Sequence, residues 1–225
     1  MDFFLKLFLS GTAKGSIYAL IALGYTMVYG IVQLINFAHG EVYMIGGFTA
    51  LIIGGLLFSS GMAVPLVLAL SIASAVVFSA AFGFTIEKLA YKPLRNKPRL
   101  SALISAIGIS MILQNFVLLA QTEKYLSFPS YLPELEFLKP VREYLNSTQF
   151  IILVTTATIM VALTLTIKFT RMGKAMRATA QDKHMAQLVG VDINGVISLT
   201  FIIGSALAAV GGVLICSYMG QINYY

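Results

Sequence analysis

The stretch VYMIGGFTALIIGGLLFSSGMAVPLVLALSIASAVVFSAAFGFTI, residues 42–86, runs for 45 residues without one charged side chain. A helix needs about 20 apolar residues to cross a hydrocarbon core of about 30 Å, so this interval is long enough for two crossings. Ser59, Ser60, Gly61 and Pro65 supply a turn between them. Ionised side chains are costly in hydrocarbon, so the other gaps between charges are read in the same way. Uncharged intervals of 26, 23, 24 and 33 residues lie at 15–40, 100–122, 144–167 and 193–225. The pattern predicts six spans, near 10–33, 37–58, 64–86, 100–120, 149–167 and 196–216, in one all-α polytopic membrane helix bundle over residues 1–225.

Composition agrees. The 225 residues are 58% hydrophobic and 11% charged, against about a quarter charged in an ordinary soluble domain. A water-soluble enzyme of this size is excluded, and the net charge of +6 belongs to loops rather than to a nucleic-acid-binding surface. One cysteine, Cys216, excludes an intramolecular disulfide, and two histidines with one cysteine make no zinc-ligand set. No catalytic, metal or cofactor site is expected. The first span is not a secretory signal: its apolar run is too long, no A-x-A-like cleavage site closes it, and five more spans follow.

Lys and Arg collect on the cytoplasmic side of membrane proteins. The connector after span three carries Lys88, Lys92, Arg95, Lys97 and Arg99, and the one after span five carries Lys168, Arg171, Lys174, Arg177 and Lys183. Both are expected inside. The stretch 121–148 between them is near charge balance, with Lys124, Lys139 and Arg142 against Glu123, Glu134, Glu136 and Glu143, and it is broken by Pro129, Pro133 and Pro140, as an external loop would be. Counting back places the amino terminus outside.

Eight of the nine acidic residues fall in loops or tails, whereas Glu41 lies against a span with long uncharged runs on both sides. Asn36 and Gly40 predict a broken or re-entrant region near 35–41. Span one runs inward, so Glu41 is expected only about one turn into the membrane, at 1.5 Å per residue. It is then either a capped helix start, where the macrodipole favours negative charge, or part of a transport path or its gate. His39, two residues away, shares no helical face with Glu41 and reads as an interfacial histidine rather than a proton relay. Gln114 and Asn115 in mid span four must face protein or a watery cavity, lining a path or bonding another helix. Gly204, Ala208 and Gly212, with Gly46, Gly47, Gly54 and Gly55, form small-residue faces for close helix packing.

Residues 174–190 read as one short amphipathic helix. Ala175, Ala178, Met185, Leu188 and Val189 form its apolar face, and Gly190 ends it at C′. Such a helix can lie on lipid or face a cytoplasmic partner.

Taken in order, several runs resemble branched-chain amino acid ABC transporter permeases of the LivH type. They are Gly15-Ser16-Ile17-Tyr18-Ala19-Leu20-Ile21-Ala22-Leu23-Gly24, Ile35-Asn36-Phe37-Ala38-His39-Gly40-Glu41, Tyr91-Lys92-Pro93-Leu94-Arg95 and Gly173-Lys174-Ala175-Met176-Arg177-Ala178-Thr179-Ala180. The resemblance implies a permease subunit of a prokaryotic inner-membrane importer driven by ATP. Its implied partners are a second permease, two cytoplasmic ATP-binding subunits and a periplasmic substrate-binding protein. No G-x-x-x-x-G-K-[ST] run is present to bind ATP in this chain.

The resemblance also makes 171–190 a cytoplasmic coupling helix, patterned E-A-A-x-x-x-G in the wider class. Here Ala186 and Gly190 hold that pattern's third and last fixed positions, the Glu and first Ala are absent, and Arg177, His184 and Met185 complete the implied contact surface. Relatives of this type continue for roughly two further spans, so the chain is expected to be a fragment or a shortened product. The rivals are a stand-alone secondary transporter or channel using Glu41 and His39, a permease for another solute such as a sugar or nucleoside, and a scaffold without transport.

Overall fold

In the computed structural model, residues 2–95, 97–121, 124–129, 132–133 and 144–223 are described. Of the external loop expected at 121–148, residues 122–123, 130–131 and 134–143, with Glu123, Glu134, Glu136, Lys139, Pro140, Arg142 and Glu143, lie outside these residues. Helices α1 (Asp2–Val32), α2 (His39–Ser59) and α3 (Val64–Ile86) come first. A π-helical turn (Glu87–Tyr91) and a 3-10 turn (Lys92–Leu94) follow, then α4 (Arg99–Ala120), β1 (Leu126–Ser127) and α5 (Ser147–Phe169). The chain continues through α6 (Arg171–Gln181), α7 (Lys183–Leu188), α8 (Ile193–Met219) and β2 (Gln221–Ile222). Six helices among the described residues are long and apolar enough to cross a membrane, and their bounds follow the expected spans closely. The exception is α1, which starts eight residues before the expected position 10. A gap between charges marks what lies in hydrocarbon, whereas a helix can run on past it, its lysines reaching the interface.

Helix α8 is the axis of the bundle. It packs against α1, α2 and α3, while α5 leans on α1 and α4 touches α2. Lipid offers no hydrophobic gain between helices, so close van der Waals approach has to hold them together. Gly46, Gly47, Gly204 and Gly212, expected on packing faces, provide it together with Gly24, whereas Gly55, also expected there, is exposed with nothing near it. A Cβ on Gly46 would lie 2.6 Å from Ala209 Cα, and one on Gly24 would lie 2.9 Å from the Gly204 carbonyl oxygen. One on Gly212 would collide with the Tyr43 carbonyl. At the end of α8 opposite its start, β2 pairs antiparallel with β1, Leu126 facing Ile222, which ties the segment after α4 to the end of α8.

The segment expected as a single amphipathic helix is two. Asp182 is extended (φ −154°), and its Oδ1 accepts from His184 N at 2.8 Å and Met185 N at 3.0 Å, so it caps α7. Gly190, at φ +86°, ends α7 as expected. The buried face also differs: Gly173, Met176, Thr179 and Ala186 turn inward, whereas Met185, Leu188 and Val189 are 60%, 69% and 79% exposed. The break at Asp182 rotates α7 relative to α6, so a face drawn through both does not exist.

Both basic connectors reach one end of the bundle, where Lys92, Arg95 and Lys183 line the same cleft. The Lys183 ammonium donates to Val32 O at 3.0 Å, closing the carboxyl end of α1 with a cation that its dipole favours. The first residue of α1 therefore lies at the opposite end.

Candidate functional site

The break between α1 and α2 is built by Asn36. Its side-chain oxygen accepts from Ala38 N at 3.2 Å and its carbonyl accepts from His39 N at 3.1 Å, which folds 36–39 into a turn. The Tyr91 hydroxyl reaches this turn from the π-helical segment, 3.1 Å from Ile35 O and 3.2 Å from Asn36 Oδ1, able to donate to one of them at a time. Asn36 is buried, its side-chain oxygen facing Ala38 N and the Tyr91 hydroxyl.

His39 begins α2 well inside the bundle. Its ring meets Tyr25 edge-on at 5.8 Å between centroids, and it packs beside Gly24. Gly24 lies eight residues before the end of α1, about 12 Å at 1.5 Å per residue. The first part of the second crossing, residues 33–38, is therefore non-helical.

That corrects the depth expected for Glu41. Ser110 Oγ donates to Glu41 Oε1 at 2.8 Å, and Ser110 stands eleven residues from Arg99 and ten from Ala120. At the helical rise the carboxylate is about 15 Å from either end of α4, midway rather than one turn in. The expectation placed the break itself at the membrane boundary, whereas residues 33–38 carry the chain into the bundle before α2 begins at His39.

Glu41 is acidic in the first turn of α2, as the helix-start reading required. It turns toward α4 while His39 turns toward α1, so the two do not meet. Gly40 is exposed, with nothing within 4 Å of a Cβ placed on it, so open space adjoins the start of α2.

On α4, Gln114 is half-buried. Asn115 departs from expectation: it is exposed, facing away from the rest of the chain, and its Nδ2 donates to Met111 O one turn back at 2.7 Å. A mid-helix amide satisfies its donor on its own backbone much as Ser and Thr do.

In the coupling segment, Arg177 donates to the carbonyls of Ile167 and Lys168, capping the end of α5. His184 and Met185 are exposed on α7 and Ala186 is buried. The corner between α5 and α6 leaves no room at Gly173, where a Cβ would collide with the Ile167 carbonyl.

One ionic centre escaped the sequence reading, which assigned Glu87 to the connector. Glu87 is fully enclosed, paired with Arg95, and its Oε2 accepts from Ser198 Oγ at 2.8 Å. Arg95 also donates to Asn194 Oδ1 at 2.6 Å, so the end of α3 is clamped to the start of α8. The available signal was Leu89, Ala90 and Tyr91, which carry the apolar run beyond the charge. A tyrosine-walled cavity of about 240 Å³, lined by Tyr18, Tyr43 and Tyr125, lies toward the opposite end of α8, beside Cys216 and Met219.

The sequence profile described as "Branched-chain amino acid transport system / permease component" matches residues 7–225. The chain is 44% identical to the high-affinity branched-chain amino acid transport system permease protein LivH of Salmonella typhimurium, over 99% of this chain and 74% of that protein. It is 47% identical to the corresponding permease protein BraD of Pseudomonas aeruginosa, over 98% of this chain and 73% of that protein. Identity to a probable branched-chain amino acid transport permease protein LivH of Methanocaldococcus jannaschii is 28%, over 93% of this chain and 66% of that protein. No solved structure matches the chain.

Proposed function

The chain belongs to the family of branched-chain amino acid transport system permease components, and from that membership we propose that it is the membrane-spanning subunit of an ATP-driven importer of branched-chain amino acids. Members of the family are transport permeases rather than enzymes, and each is one component of a larger transport system. Its site in this reading is the prokaryotic inner membrane, with the basic end of the bundle cytoplasmic and the amino terminus external.

The observation that carries the proposal is the exposure of Met185 and Leu188 on α7 and of Val189 just after it, in a short helix between two spans at the basic end. Apolar side chains clustered on a polar connector are the anchor an ATP-binding subunit would grip. Closure of two such subunits would push α6 and α7 and, through α8, rock the bundle between outward-open and inward-open forms. A second permease would cover the exposed face of α4, where the outward-facing Asn115 is poorly suited to lipid. A periplasmic binding protein would deliver the amino acid at the opposite end.

The path in this reading passes Gly40, Glu41 and Gln114. Asn36 and His39 hold the break that opens it, and Ser110 fixes one carboxylate oxygen so that the other can meet the substrate ammonium.

The test is uptake into proteoliposomes holding this chain with its partner permease, ATP-binding subunits and binding protein. ATP-dependent leucine uptake is expected, and uptake by this chain alone on an ion gradient would instead establish a secondary transporter. Leu188→Asp should weaken ATPase docking by roughly thirtyfold, the effect of losing a 2 kcal/mol hot spot, with insertion unchanged. Unaltered docking and uptake would remove α7 from the coupling role. Glu41→Gln should lower uptake by about ten- to a hundredfold while substrate-stimulated ATP hydrolysis persists, since one charge-assisted hydrogen bond is worth about 1.5–3 kcal/mol. Wild-type uptake would leave Glu41 as a helix start alone.

A further inference from the structure

At the basic end of the bundle, a cleft of about 390 Å³ opens between the end of α1, the 3-10 turn, α7 and the start of α8. It has two kinds of wall. Lys92, Arg95 and Lys183 bring three cations to it, with the side-chain amides of Gln187 and Asn194 between them. Arg95 is paired with Glu87 and Lys183 donates to Val32 O, while Lys92 is exposed at the cleft. Part of the lining is aliphatic: Leu34 and Ile193, both half-buried, border the cleft beside the buried Val32 and Ile197.

We propose that this cleft binds the headgroup phosphate of one anionic phospholipid, with the upper part of its acyl chain against Leu34 and Ile193. A free phosphate would be served by the cations and amides alone, whereas a lipid also meets the apolar surface that Leu34 and Ile193 leave open beside them. The height is also right: the cleft lies where α1 ends, a few residues before α4 starts and at the first residues of α8. Three helix ends at one level mark the boundary of the hydrocarbon, where headgroups sit. Basic pockets between spans at this level suit anionic headgroups, each lysine or arginine contributing through short-range attraction. Because Lys183 and Gln187 belong to α7, the bound lipid joins α7 to α1 and α8, so anionic lipid should stiffen that connector.

This inference does not depend on the transport reading. The chain is purified in detergent, incorporated into nanodiscs of phosphatidylcholine with a small fraction of phosphatidylglycerol, and retained lipid is counted by native mass spectrometry. One phosphatidylglycerol per chain is expected to be retained in preference to phosphatidylcholine. Lys92→Ala with Lys183→Gln should lower that preference roughly thirtyfold, equivalent to about 1 kcal/mol for each lysine at 1.4 kcal/mol per tenfold. Lys92→Ala alone, at an exposed position where only the backbone N–H bonds to Glu87 O and the carboxylate pairs with Arg95, should lower it by about fivefold and guards against a folding defect in the double variant. Added inorganic phosphate should leave retention unchanged. Equal retention of the two lipids, unaltered preference in both variants, or displacement by inorganic phosphate would each overturn the assignment.

Discussion

Arg95→Met is expected to destabilise the bundle by about 3–5 kcal/mol, because it strands the Glu87 carboxylate in a site with no access to water. Two groups touch that carboxylate, the Arg95 guanidinium and the Ser198 hydroxyl. A hydroxyl alone compensates a buried charge poorly. The same reasoning predicts that Glu87→Gln introduced beside Arg95→Met recovers most of the loss, since an uncharged amide keeps the Ser198 contact and needs no counter-ion. Thermal unfolding of the purified chain in detergent, measured for both single variants and the double, gives the coupling between the residues. If Arg95→Met unfolds with the wild type, the pair carries none of the stability assigned to it. The clamp fixes the end of α3 to the first turn of α8, so its loss should also loosen the basic end more than the opposite one.

Gly46→Leu should be nearly as severe. A Cβ at this position lies 2.6 Å from Ala209 Cα and 2.9 Å from Ala209 Cβ, so even the first added atom forces α2 away from α8. Overpacking a closely fitted interior costs typically about 1–3 kcal/mol, and a leucine that separates two backbones belongs at or beyond the upper end. The same helix holds its own control. Gly55 has nothing within 4 Å of its Cβ and is exposed, so Gly55→Leu should be accepted with stability unchanged to within about 0.5 kcal/mol. Protease susceptibility of the two variants in detergent separates them. Equal resistance would mean that α2 and α8 are not held by close approach at Gly46.

Those two positions illustrate how far the sequence could be read. Gly46 was legible as part of a small-residue face because spacing along a helix is a local property, although which residue it would meet was not. Glu87 was misassigned for a related reason: a charge at the end of an apolar run looks like the start of a loop until its counter-ion is known, and Arg95 supplies that only after the chain has turned. On α7 and just after it, Met185, Leu188 and Val189 had the spacing of a buried face. Asp182, reading as one more polar residue, breaks the helix and leaves them exposed.

The sequence by itself determined six crossings, their limits to within a few residues apart from the start of α1, and the family to which the chain belongs. Hydrocarbon penalises every charge wherever the neighbours lie, so the map of charges is already a map of the membrane-embedded segments. Only the tertiary structure decided that Glu41 stands midway along α4, that Glu87 is enclosed, and that the basic connectors converge on one cleft. Depth and burial depend on where other helices end and which atoms they bring, and no single segment carries that information.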